Sequence, residues 1–184
     1  MAGVMASVLT PGVLAVAELS SARLDGELYG LDEAFVPVDE VESSRMRASV
    51  LRGIAGTRLI AELDSALWVR GVIDRPPRVH TMCVARANRV KFPPSPRILV
   101  REVGHEIGDV EPIGGLPVTV PGRILYDLAF LDGRDRRADA VPLLRRFPEI
   151  ADACAQRVAD ARSVPGKVQA MARIVEWQKE VSLR

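Results

Sequence analysis

Aromatic side chains are scarce in this 184-residue chain, where they occupy 4% of all positions. Hydrophobic residues still reach 48%, so a sizeable core can form, and Val, Leu, Ile and Ala must build most of it. Cysteine is scarcer still, with only Cys83 and Cys154, which are far apart and both lie in apolar surroundings. Two such residues do not make a disulfide framework, so we expect two buried thiols in a reducing compartment.

Metal ligands are also few. His80 and His105 are the only histidines, and neither has a nearby Cys, His or carboxylate at the spacing of a metal site. The sequence therefore predicts no metal site and no cofactor.

Targeting and membrane-spanning signals are missing. The first nine residues are apolar and contain no Lys or Arg, whereas a secretory signal needs a positive n-region, a longer apolar run and a cleavage site. No apolar run reaches the roughly 18 residues that a transmembrane helix requires. We therefore expect a cytoplasmic protein with no membrane partner.

No catalytic motif is complete. Cys83 lacks a partnered base that would activate it as a nucleophile. The stretch Pro165-Gly166-Lys167 resembles the end of a phosphate loop, but the upstream glycine and the following Ser or Thr are absent. Gly114-Gly115 lies between two predicted strands, which favours a turn. Four acids cluster without the Glu-x-Lys pattern of a nuclease: Asp127, Asp132, Asp135 and Asp139. We therefore predict a regulator or binding module, with no catalytic residues, and not an enzyme.

Charge is distributed unevenly, although the net charge is only +1. Residues 1–44 sum to −7, residues 45–101 to +9 and residues 102–184 to −1. A segment at +9 can neutralise phosphates and release counterions, which favours a nucleic-acid partner. Alternatively, the acidic N-terminal part packs beside the basic segment and the two fields cancel.

Most bases of the middle segment are candidate contacts to double-stranded DNA. They are Arg45, Arg47, Arg52, Arg58, Arg70, Arg75, Arg78, Arg86, Arg89, Lys91 and Arg97. Within this set, the 86–97 loop combines Arg86, Arg89 and Lys91 with an aromatic residue and three prolines. That composition predicts a stiff, exposed, hairpin-like arm, which either contacts phosphates or is a solvated hairpin tip.

The first 41 residues have the outline of a small winged helix-turn-helix. Thr10-Pro11 is typical of a helix start, and Ser20-Ser21 offers a second cap. We expect helices at 11–17 and 21–28 and strands at 28–30 and 34–38. The second helix reads the bases in such a fold, and here it offers only weak DNA-reading candidates. These are Ser20, Ser21 and Arg23.

Residues 42–184 are expected to form a mixed α/β domain with a short antiparallel sheet and C-terminal helices. The predicted helices lie at 42–54, 58–72, 121–131, 135–147, 149–161 and 165–181. Within the 58–72 segment, Asp64-Ser65 could instead restart a helix after a turn. The predicted strands lie at 79–85, 97–103, 110–113 and 118–120. The fold class is therefore α+β.

Five stretches of the chain resemble the AbiEi-type antitoxin family of bacterial type IV toxin–antitoxin systems, in its actinobacterial form. They lie at residues 18–28, 34–39, 58–61, 65–71 and 114–129. The last is the most specific, with a Gly-Leu-Pro-Val-Thr strand, a proline and an Arg-x-Leu-x-Asp-Leu-Ala helix. The charge of −7 over residues 1–44 departs from the family's basic N-terminal reader, so the winged helix is degenerate.

The resemblance implies a winged-helix N-terminal domain, an α/β C-terminal domain and binding to the operon's own promoter. It also implies repression of that operon and neutralisation of a cognate nucleotidyltransferase-like toxin. The alternative is a protein-interaction module that has lost DNA binding.

Overall fold

The computed structural model describes residues 8–85, 92, 94–133 and 135–183, and its fold is of the predicted α+β class. Its seven described helices are α1 (Val16–Leu24), α2 (Ser44–Ala55), α3 (Leu63–Val69), α4 (Pro121–Phe130), α5 (Arg137–Arg146), α6 (Ile150–Asp160) and α7 (Lys167–Ser182). Its described strands are β1 (Leu28–Leu31), β2 (Ala34–Pro37), β3 (Ile60–Ala61), β4 (His80–Ala85), β5 (Ile98–Val103), β6 (Val110–Ile113) and β7 (Leu116–Thr119). Among these elements, no helix has both the length and the apolar character needed to cross a membrane.

The helix predicted at residues 11–17 is a turn in the structure. The backbone N–H groups of Val13 and Leu14 both donate to the carbonyl oxygen of Thr10, at 2.8 and 3.2 Å. Gly12 disfavours continuation of this turn into a helix, since glycine loses the most backbone entropy on folding. This prediction is therefore corrected.

The helix predicted at 21–28 is α1, which begins five residues earlier. The Glu18 carboxylate accepts a hydrogen bond from the backbone N–H of Ala15 at 3.1 Å, which supports the earlier start. The helix ends before Gly26, whose φ of 79° lies in the left-handed region. The predicted helix-turn-helix is thus replaced, within the described residues, by a single helix followed by the β1–β2 hairpin.

Five strands form one mixed sheet with the order β5-β4-β3-β7-β6. The pairs β3–β4 and β6–β7 are antiparallel, and the second of them joins two strands that the sequence predicts. The pairs β4–β5 and β3–β7 are parallel, so the expected short antiparallel sheet is part of a mixed sheet.

The parallel pairing of β4 with β5 also corrects the hairpin-like reading of the 86–97 loop. His80 pairs with Ile98 and Ala85 with Val103, so both strands run the same way. A parallel pair requires a crossover of about a dozen residues, and the connection between these strands has that length. Residues 86–91 and 93 lie outside the described residues.

The helix predicted at 58–72 divides into β3 and α3. The backbone N–H of Glu62 donates to the carbonyl oxygen of Thr81 at 3.2 Å, so Glu62 still belongs to the sheet edge. The φ of Leu63 is 48°, which turns the chain sharply into α3. Helix propensity is overridden here by pairing with β4.

The core is largely aliphatic, as expected for a chain with few aromatic residues. Leu51, Leu67, Leu125 and Leu143 are fully buried, and Trp68 is the largest fully buried side chain. Apolar residues of β1 and β2 belong to the same hydrophobic cluster as those of α2 to α7. α4 contacts both α6 and α7, and α5 contacts α7.

Candidate nucleic-acid interface

Helix α2 carries two exposed arginines, Arg45 and Arg52, on one face. Ser43 caps it, since its Oγ accepts a hydrogen bond from the backbone N–H of Met46 at 3.3 Å. Gly56, with a φ of 75°, ends it. Val50 and Leu51 are buried and hold the inner face of the helix against the core.

The outer face of α2 presents Arg45, Ser49 and Arg52, which we call the α2 ridge. Arg45 and Arg52 are exposed and stand seven residues apart. Seven residues make nearly two helical turns, so the two guanidinium groups project from the same face about 10.5 Å apart along the axis. Ser49 lies between them, four residues after Arg45.

The turn between β6 and β7 lies directly beside this ridge. A Cβ atom on Gly115 would stand 2.8 Å from Nη1 of Arg52, and one on Gly114 would stand 3.0 Å from the carbonyl oxygen of Arg45. Gly114 and Gly115 have positive φ values of 55° and 80°, respectively. The predicted turn at Gly114-Gly115 is therefore confirmed, and because it carries no side chains it packs closely against α2 and beneath the guanidinium of Arg52.

Three further arginines of the candidate set are exposed. Arg58 follows α2, and Arg75 and Arg78 lie in the connection between α3 and β4. Within the part of the chain that the structure describes, neither these three nor Arg45 and Arg52 form an ion pair. Their charges are therefore available to an external anion.

Arg47 is buried and does not belong to this surface. Its Nη1 donates to the carbonyl oxygens of Trp68 and Ile73 at 2.7 and 2.9 Å. Its Nε pairs with Glu42, and its guanidinium lies 5.8 Å from the ring centroid of Trp68. The prediction that Arg47 contacts DNA is corrected, because its donors already satisfy buried backbone oxygens.

Arg70 is also buried. Its Nε donates to the carbonyl oxygen of Thr119 at 2.9 Å, and its Nη2 donates to Glu111 at 2.8 Å. Burial lowers the pKa of Arg70, although the hydrogen bond to Glu111 opposes that shift. Arg70 therefore joins α3 to the β6–β7 hairpin, and its predicted contact with DNA is corrected for the same reason.

Arg97 pairs with the acidic tip of the β1–β2 hairpin. Its guanidinium contacts Asp32 and Glu33, the latter at 2.8 Å, and donates to the carbonyl oxygen of Arg78 at 2.5 Å. The acidic N-terminal part thus does pack onto the basic segment at this point. The remaining candidates of the set, Arg86, Arg89 and Lys91, lie outside the described residues.

The weak DNA-reading candidates lie on α1. Ser20, Ser21 and Arg23 are all exposed. The hydroxyl of Ser21 donates to Asp25 at 3.4 Å, one helical turn away. Arg23 is thus the one basic side chain that α1 presents.

A buried Ser65–His80–Asp32 chain was not anticipated from the sequence. Ser65 Oγ accepts a hydrogen bond from the backbone N–H of Thr81 at 2.9 Å and forms a second hydrogen bond with Nδ1 of His80 at 3.0 Å. Nε2 of His80 then donates to Oδ2 of Asp32 at 2.8 Å. Ser65 and His80 are fully buried, so this chain fixes the hairpin to the sheet and offers no accessible nucleophile.

A second charged network joins β6, α4 and α6. Asp109 accepts hydrogen bonds from Arg123 at 2.8 Å and from Arg157 at 2.6 Å, and Arg123 also donates to Asp127 at 2.9 Å. Burial alone would raise the pKa of Asp109, but hydrogen bonds from Arg157, from the backbone N–H of Glu106 and from Arg123 hold it well below its usual range. Asp109 is therefore ionised at neutral pH, and its ion pairs with Arg123 and Arg157 tie the helices to the sheet.

The two thiols are buried, as predicted from their apolar surroundings. Burial and the nearby charge of Glu62 raise the pKa of Cys83 strongly, and burial raises that of Cys154 to about 12. Sγ of Cys83 lies 3.6 Å from Nε2 of His105, whose own pKa is lowered by burial and by Arg123. The thiol of Cys83 is therefore protonated at neutral pH. Among the described residues, no group of three or more metal-ligating side chains occurs.

The fold and its surface thus define an α+β protein with an exposed arginine ridge beside a glycine turn. No family model matches the chain, and no curated protein matches it. Among solved structures, the chain is similar to the crystal structure of the RV2827C protein from Mycobacterium tuberculosis, with 14% sequence identity and a TM-score of 0.48. That match covers 96% of this chain and 72% of the other. A likeness of this size assigns neither a family nor a function.

Proposed function

We propose that the chain is a DNA-binding transcriptional regulator of the antitoxin type, which represses its own operon and counters a nucleotidyltransferase-like toxin. The observation that supports the DNA-binding part is the α2 ridge. Arg45 and Arg52 are exposed, share one face of the helix and have no ion pair in the described part of the chain.

The ridge is matched to a polyphosphate by its charge and its length. Double-stranded DNA carries one negative charge per about 1.7 Å of its axis, so a ridge about 10.5 Å long passes several phosphates. When two arginines contact phosphates and displace condensed counterions, the affinity for DNA rises, but these contacts do not distinguish one base sequence from another. The glycine turn packs against α2 and lies directly beneath the guanidinium of Arg52.

Sequence reading would have to come from elsewhere on the surface. Ser20, Ser21 and Arg23 on α1 are the candidates that the outline of a winged helix suggests. Since they bring a single base, we propose that phosphate contacts supply most of the affinity and that discrimination between sequences is small.

The toxin-neutralising part of the proposal rests on the resemblance of residues 114–129 to AbiEi-type antitoxins. Its test is co-expression with the product of the adjacent gene, if that gene encodes a nucleotidyltransferase-like protein. Restored growth would support the pairing, and unrelieved growth arrest would contradict it.

DNA binding is tested by fluorescence anisotropy with two duplexes of equal length, one from the upstream region of the gene and one unrelated. We expect binding to both at about 50 mM salt, tighter binding to the upstream duplex, and a steep loss towards about 200 mM. Absence of binding at the lower salt concentration would contradict the proposal.

One observation favours the alternative of a protein-interaction module that has lost DNA binding. Glu42 pairs with Arg47, and Asp32 and Glu33 pair with Arg97, so acids of the N-terminal segment neutralise part of the basic segment internally. Under this alternative, the chain captures the product of the adjacent gene in a pull-down, and both duplexes fail to bind at low salt.

A further inference from the structure

Helix α7 has two apolar faces, and only one of them is covered by the described part of the chain. Ala170, Ile174 and Trp177 are buried against the other helices. On the opposite side, Val168 is 83% exposed and Val175 is 39% exposed. An amphipathic surface helix normally shows a single apolar stripe, so the second one calls for a partner.

The outer face forms one continuous stripe at helical spacing. Val168, Met171, Ala172 and Val175 stand at positions i, i+3, i+4 and i+7, so they lie on one side of the helix. Together with Ala159 of α6 they line an open groove of about 700 Å³. The stripe is long enough to accept another helix lying along it.

We propose that this face pairs with the same face of a second copy of the chain, with the two α7 helices antiparallel. The apolar residues of the stripe are arranged symmetrically about the point between Met171 and Ala172, which suits a two-fold axis at that point. A two-fold axis there places Val168 opposite Val175 and Met171 opposite Ala172. A large side chain thus meets a small one at the centre, and two valines meet on either side.

Charge at the ends of the stripe fits the same register. The two-fold axis places Lys167 opposite Glu176. Nζ of Lys167 donates to the carbonyl oxygens of Ala159 and Ala161 at 2.6 and 2.9 Å, which leaves its third N–H for a carboxylate. Glu176 is 60% exposed, and its Oε1 accepts from Arg137 at 2.6 Å, which leaves Oε2 for an ammonium group.

The expected dimer is weak. The 16 residues of α7 span about 24 Å, so the contact is small for a specific interface, and small interfaces belong to transient complexes. We therefore expect a dissociation constant in the micromolar range and a monomer at low concentration. This inference is independent of the proposed function, because it involves no residue of the α2 ridge.

Analytical ultracentrifugation of the full chain from about 5 to about 500 μM tests the pairing. We expect the weight-average mass to rise from the monomer mass of 20.0 kDa towards twice that value. Val175→Glu should abolish the rise, since it places a carboxylate opposite an apolar side chain. Val41→Glu is the control, because Val41 is 85% exposed and lies far from α7 in sequence. A mass of one chain at every concentration, or equal effects of the two variants, would overturn the proposal.

The register is tested by oxidative cross-linking of single-cysteine additions. An equimolar mixture of Val168→Cys and Val175→Cys should form a disulfide-linked dimer faster than either variant alone, since residues 168 and 175 face each other. The two native thiols are buried and stay out of the reaction. Faster self-cross-linking of each variant than of the mixture would indicate parallel helices and would overturn the antiparallel arrangement.

Discussion

Nε2 of His80 lies 2.8 Å from Oδ2 of Asp32, although 48 residues separate the two in sequence. The contact joins the tip of the β1–β2 hairpin to the first residue of β4. Both side chains are almost completely buried, at 0% and 5% exposure. Because Arg97 also pairs with Asp32, this buried carboxylate holds the tip of the N-terminal hairpin through two partners at once.

Replacing Asp32 should therefore destabilise the fold. Asp32→Asn retains a residue type that tolerates the φ of 55°, but it places an amide where two donors converge. We expect the free energy of unfolding to fall by about 3 kcal/mol, as for other broken buried ion pairs. Glu33→Gln, at a side chain that is 50% exposed, should cost less than about 1 kcal/mol. Urea unfolding of the two variants measures the difference, and equal losses would contradict this role.

Replacing Arg47 should lower the stability of the fold, whereas replacing Arg45 should weaken DNA binding. Arg47→Met leaves the carbonyl oxygens of Trp68 and Ile73 without their donor, so we expect a loss of about 2–3 kcal/mol in unfolding free energy. Arg45→Met removes an exposed side chain and should change stability by less than about 0.5 kcal/mol. The same variant should weaken DNA binding. A large loss of stability in Arg45→Met would show that this arginine is structural.

Acid sensitivity should depend on Asp109. Its pKa is depressed in the folded state, so it stabilises the fold above its ordinary pKa of about 3.9, and that stability is lost as pH falls below this value. Asp109→Asn should lower the stability at pH 7 and flatten its decline between about pH 5 and pH 2. Asp127, whose pKa is raised by burial, is present in both proteins and therefore contributes to both curves. Denaturant midpoints across this pH range test the slope, and parallel curves would contradict the prediction.

The two thiols should be inert in the native protein. Burial raises the pKa of both Cys83 and Cys154, so neither forms a thiolate at pH 8. We expect no rapid reaction with a thiol reagent under native conditions and two equivalents of reaction in denaturant. Fast alkylation of Cys83 in the native state would contradict this prediction and would show that its contact with His105 activates a nucleophile.

Much of the secondary structure could be predicted from local pattern. The strand predicted at 110–113 agrees with β6, because turn glycines follow it directly. The helix predicted to begin at Pro121 agrees with α4, because proline favours the first position of a helix. Within residues 58–72 the sequence allows a helix that restarts near Asp64-Ser65, but strand β3 could not be predicted, because it depends on pairing between Glu62 and Thr81 across the sheet. The same limit applies to the parallel pairing of β4 with β5.

The candidate site was predicted only in part, because charge in a sequence does not show exposure. Arg45 and Arg47 are two residues apart, yet one is exposed and the other is 9% exposed within the core. Helical periodicity could have separated them, since the buried Val50 and Leu51 lie three and four residues after Arg47 and therefore on its side of the helix. The network of Asp109 with Arg157 could not have been found in this way, because the two residues are 48 positions apart in sequence. The Arg-x-Leu-x-Asp spacing did contain the ion pair of Arg123 with Asp127.

The salt dependence of DNA affinity tests the central claim most directly. A plot of log association constant against log salt should be shallower by about 1.8 for Arg45→Ala/Arg52→Ala than for the parent chain, because each lost phosphate contact removes about 0.9 from the slope. Arg145→Ala/Arg162→Ala removes two exposed charges away from α2 and should leave the slope unchanged. Equal slopes for all three proteins, or an equal change in the two double variants, would contradict the assignment of the α2 ridge as the DNA-binding surface.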